Sequence, residues 1–62
     1  MHEMAMAQGI MDIVESYARK NDAKKVRVVS LIIGEMAGVV FESLEFCFKA
    51  LAEGTVAEDA EL

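Results

Sequence analysis

Met1-His2-Glu3 opens the chain and places three nitrogen donors within two residues. A free amine at Met1, the amide nitrogen joining Met1 to His2, and Nδ1 of His2 can all close on one metal ion. The amine and amide form a five-membered ring, and the amide and imidazole a six-membered one. The three donors lie in one plane, an arrangement that rewards loss of the amide proton. The fourth corner lies opposite the His2 amide nitrogen, where the Glu3 carboxylate, a water or a group from another protein can sit. Such a corner exchanges readily, which suits handing an ion on better than storing it. The chemistry needs an unblocked Met1, and aminopeptidases usually spare Met before a residue as large as His. The ligands must also lose protons, so binding weakens on acidification. By position alone, a histidine at residue 2 is ordinarily an exposed terminal side chain. Glu3 is equally suited to the first turn of a helix, where the macrodipole favours an anion.

No other constellation carries chemistry. Cys47 is the single cysteine and His2 the single histidine, so no thiol–imidazole pair forms nearby in sequence, and Cys47 reads as a small core residue. Ser43 lacks triad partners, and there is no Gly-rich phosphate loop. Met4, Met6, Met11 and Met36 offer thioethers of the kind that bind copper(I), but methionine at helical spacing is ordinarily core filler. The expectation is a protein without catalysis of its own.

Sixty-two residues, 55% of them hydrophobic, allow one small domain near the lower limit for a self-sufficient core and exclude a disordered class. One cysteine cannot form an internal disulfide, which points to a reducing compartment, the cytoplasm. No basic, apolar leader opens the sequence and no apolar run approaches a membrane span. The net charge of −5 opposes nucleic-acid binding. Arg19, Lys20, Lys24, Lys25 and Arg27 concentrate the positive charge, either as a solvated helix end or as a docking patch for an acidic protein.

The elements that must position the first three residues follow from periodicity. Ala7, Ile10/Met11, Val14 and Tyr17/Ala18 recur at helical spacing from Met4 to about Asn21. The β-branched run from Lys25 to Ile33 reads as a strand, with Val29, Leu31 and Ile33 on one face and Val28, Ser30 and Ile32 on the other. Both faces are apolar enough that the second is expected to meet something. Gly34 and Gly38 mark a loop. A second helix is expected from Phe41 to Glu53, burying Phe41, Leu44, Phe48 and Leu51, with Gly54 as its stop. Residues 57–62 and Met1–Glu3 can add only short strands. The fold class expected is α+β: two helices on one face of a short mixed sheet, incomplete in this chain and completed by association.

Three segments together resemble one family: Met1-His2-Glu3, "VRVVSLIIGEMAGV" and "ESLEFCFKALAEGTVAE", in order and without gaps. They are similar to the nickel-binding domain of HypA, the hydrogenase/urease nickel-insertion accessory proteins. The resemblance implies that residues 1–62 form a single nickel-binding domain, with the family's zinc-binding half and its two CxxC pairs missing, so no zinc is expected here. It selects nickel(II), which favours a square plane of strong nitrogen donors, with Met1, His2 and Glu3 as the metal residues. The implied role is that of a metallochaperone for maturation of [NiFe]-hydrogenase, and by extension urease. The implied partners are the GTPase HypB and the hydrogenase large-subunit precursor; self-association into a homo-oligomer is expected separately, from the incomplete sheet. Two positions depart from the family pattern: Val40 stands where an acidic residue is common, and Phe41 where a proline often opens the second helix. The rival reading is a structural association module, dimerising or swapping strands, with an idle N-terminus.

Overall fold

A computed structural model describes residues 2–34 and 38–62. Two helices occur among them: α1, Glu3–Lys20, and α2, Phe41–Ala52. Each lies within a residue of the bounds that periodicity predicts.

His2 is the N-cap of α1, in extended backbone conformation, and its carbonyl accepts the first helical bond from the Met6 N–H at 3.1 Å. Glu3 in the first turn and Arg19 and Lys20 in the last complement the helix dipole. The helix ends in a Schellman motif. Asp22 takes the left-handed conformation (φ 52°), the Ala23 N–H reaches back to the Ala18 carbonyl (2.9 Å), and the Asp22 N–H to that of Arg19 (3.3 Å). The Asn21 side-chain amide donates to the Tyr17 carbonyl at 2.9 Å, joining the Asn21 backbone N–H on the same acceptor at 3.1 Å.

α2 ends in a type II turn. Glu53 (φ −55°, ψ 130°) and Gly54 (φ 76°) hold its two central positions, and the Thr55 N–H closes it on the Ala52 carbonyl at 3.0 Å. The second central position requires positive φ, which glycine adopts without steric cost.

Ala7, Met11 and Val14 of α1 pack on Leu44, Phe48 and Ala52 of α2, and Ala57 and Ala60 close the core from beyond α2. Alanine on both helices lets the backbones approach closely around the fully buried Phe48. The helices run side by side in the same direction. Their starts meet where the Glu3 carboxylate accepts the Val40 N–H, and their far ends share a shallow cavity lined by Ala18, Arg19 and Val56.

The expected mixed β-sheet is not found: no β-strand occurs among the described residues, so the α+β assignment is corrected to two helices with an extended covering segment. The Lys25–Ile33 segment returns between the helices in extended form and makes one isolated parallel bridge, Val28 to Glu61. Its bonds are Val29 N–H to the Glu61 carbonyl at 2.7 Å and Glu61 N–H to the Arg27 carbonyl at 2.9 Å. The reason lies in the segment opposite. Residues 57–60 turn locally, as in Glu58 N–H to Thr55 and Ala60 N–H to Ala57, so among the described residues the segment meets only separated partners: the Val26 N–H donates to the Val56 carbonyl at 2.8 Å, and past the turns only the bridge at Glu61 follows. A ladder needs consecutive pairs. Met1–Glu3 provides no strand either where it is described, because His2 caps α1 and Glu3 belongs to it.

The alternation within Lys25–Ile33 holds from Val28 to Ile32 and fails at Ile33, expected on the inner face with Val29 and Leu31 but 37% exposed. Val29 and Leu31 pack against the core, while Val28 and Ile32 are exposed. Two aromatic residues depart from their expected faces. Tyr17 is 66% exposed, with Ala18 taking the inner position, and Phe41 is 46% exposed, with Ala52 joining the core instead.

Candidate metal site at the N-terminus

Because α1 begins at Glu3, everything that could chelate a metal at residues 1 and 2 lies ahead of the helix. Met1 lies outside the described residues, as do Glu35, Met36 and Ala37 of the loop. His2 is exposed. Its carbonyl is committed to Met6, but its N–H belongs to the helix start, where backbone donors have no intrahelical acceptor. An amide that must lose its proton to bind a metal is best placed where no hydrogen bond holds that proton. The positive end of the helix also favours the resulting anion, though it opposes the metal cation.

Glu3 takes the first-turn place that one reading of the sequence gave it and makes a further contact that neither reading foresaw. It sits in the first turn of α1, half-buried, and Oε2 accepts the Val40 N–H at 3.3 Å across 37 positions. Val40 is the N-cap of α2, its backbone extended and its side chain a hydrocarbon that can cap nothing. The carboxylate thus lies at the starts of both helices. Sequence reasoning missed this contact. No local signal announced it: an N-cap side chain accepts from the second or third helical N–H, so a valine there says nothing about the partner of its own N–H.

The structure brings His2, Glu3 and Val40 to one end of the molecule and keeps Cys47 away from it. Cys47 packs half-buried at the edge of the core, in the middle of α2. No group of three or more His, Cys, Asp or Glu side chains is assembled for a metal among the described residues. A chelate of one imidazole and two backbone nitrogens does not require one.

Residues 1–62 match the family described as hydrogenase/urease nickel incorporation, metallochaperone, HypA. The chain belongs to the HypA family. Hydrogenase maturation factor HypA of Prosthecochloris aestuarii is 47% identical over 62 residues, which are 100% of this chain and 55% of that protein. The protein of the same name from Chlorobium limicola is 52% identical over all of this chain and 53% of its own length. Hydrogenase maturation factor HypA 2 of Bradyrhizobium diazoefficiens is 52% identical over all of this chain and 55% of its own. The chain therefore spans about half the length of the curated relatives it matches. The HypA family is described as metallochaperones rather than enzymes, which agrees with the lack of a catalytic set in the sequence. No helix among the described residues is long and apolar enough to cross a membrane.

Proposed function

We propose that this chain binds one nickel(II) ion as cargo at its N-terminus and passes it on during maturation of [NiFe]-hydrogenase, with urease as a second client. The Met1 amine, the His2 amide nitrogen and His2 Nδ1 supply three corners of a square plane. Glu3 is the carboxylate nearest the fourth. Residues 1–62 act as one folding unit, the nickel-binding domain, and carry no zinc of their own. The partners on this reading are the GTPase HypB and the hydrogenase large-subunit precursor, and the compartment is the cytoplasm. The observation that carries the reading is the start of α1 at Glu3, which leaves His2 exposed with its N–H outside the helical ladder.

The test is nickel stoichiometry with intact mass on a chain starting at an unblocked Met1. One nickel per chain with a diamagnetic square-planar spectrum is expected. N-terminal acetylation and His2→Ala should each abolish it, and unchanged uptake in either rejects the site.

A second reading, association of copies through an apolar face, is favoured by one observation. Ile13 and Tyr17 on α1 and Val28 on the extended segment, all exposed, line an apolar groove. Light scattering with and without nickel separates the two readings: assembly independent of metal, with no uptake, selects the second.

A further inference from the structure

Glu3 has two possible engagements and only one is in place. A carboxylate at the fourth corner of the nickel plane would have to leave the Val40 N–H, on which Oε2 rests at 3.3 Å. Among the described residues that N–H has no other acceptor, and Val40 has no side-chain cap of its own. Leaving would hand that exposed donor to water and give up the one hydrogen bond described between the starts of the two helices. Staying keeps the anion beside the positive ends of two helices. The metal offers little in exchange, since carboxylate oxygen suits harder ions than a nickel(II) already held by three nitrogens.

We infer, resting on the nickel site proposed above, that Glu3 is a positioning residue: its carboxylate stays on the Val40 N–H and fastens the start of α2 beside the nickel ligands. The fourth corner is then left to water or to a donor from the protein that receives the ion. The Val40 backbone and its exposed side chain are held next to the cargo by a residue covalently adjacent to His2. A receiving protein that docks on the nickel end must meet both. Movement of His2 on metal binding is transmitted through Glu3 to residue 40, which a contact serving stability alone would not require.

Amide NMR on the full chain tests this, because square-planar nickel(II) is diamagnetic and leaves signals sharp. Without metal, Glu3→Ala should move the Val40 amide resonance, and Glu3→Gln, whose carbonyl can accept the same bond, should largely restore it. One equivalent of nickel should shift Val40 in the wild type and in Glu3→Gln but not in Glu3→Ala. Nickel affinity should stay within about threefold in both variants. A loss of about tenfold or more in both would make Glu3 a ligand and overturn the inference, as would a metal-free Val40 resonance indifferent to Glu3→Ala. His2→Ala separates the two levels: nickel binding that survives it removes the proposed site, while the metal-free comparison at Val40 still judges the tether.

Discussion

His2 is the residue on which the proposed chemistry turns, and its number in the chain matters as much as its type. At position 2 the imidazole leaves one corner of the square plane open. Adding a single residue ahead of Met1 would supply a second amide nitrogen, so that amine, two amides and imidazole fill all four corners. Such a chain is expected to hold nickel more tightly and to release it more slowly to a chelator. Faster release from the extended chain than from the native one would contradict the open-corner argument. Residue types and order made this site legible without any fold. Glu3 was legible only as one of two things, a ligand or a first-turn anion. Its bond to Val40 joins residues 37 positions apart, and no local pattern carries such information.

The two helices were readable because each carries a continuous apolar stripe and a recognisable stop. The stops also show where stability can be tuned. Gly54 holds the positive-φ position of the type II turn and a Cβ there would meet nothing within 4 Å, so Gly54→Ala should cost about 1 kcal/mol through backbone strain alone. Asp22 holds the corresponding left-handed position after α1 without glycine's freedom. Asp22→Gly is expected to raise stability by about 0.5–1 kcal/mol. Urea denaturation of the two variants checks both signs, and a stabilised Gly54→Ala would refute the turn assignment. The Lys25–Ile33 run was legible as extended but not as holding a single isolated bridge in place of a ladder. Its propensity is local, whereas a strand exists only if another segment spends its backbone bonds on it. Here residues 57–60 spend theirs on turns instead.

A chain this short has little stability to lose. Phe48 is fully buried at the helix interface, and Phe48→Ala should cost about 3–5 kcal/mol, comparable with the whole stability a core of this size supplies. Loss of the helical circular-dichroism signal at 25 °C is the expected result; a cooperative transition within about 1 kcal/mol of the parent would show that the core lies elsewhere. Ile32, by contrast, is wholly exposed, so Ile32→Lys should change stability by less than about 0.5 kcal/mol. If copies associate through the exposed apolar residues of the extended segment, the same substitution should shift light scattering toward the monomer. Apolar periodicity and the first three residues by themselves determined the extents of both helices and the chemistry open to the N-terminus, because each is written within a few neighbouring positions. The tertiary structure alone decided that no sheet forms among the described residues, that Tyr17 and Phe41 turn outward, and that Glu3 meets Val40. Each depends on which distant segment claims a backbone group or a place in the core, and that competition is settled only when the helices pack.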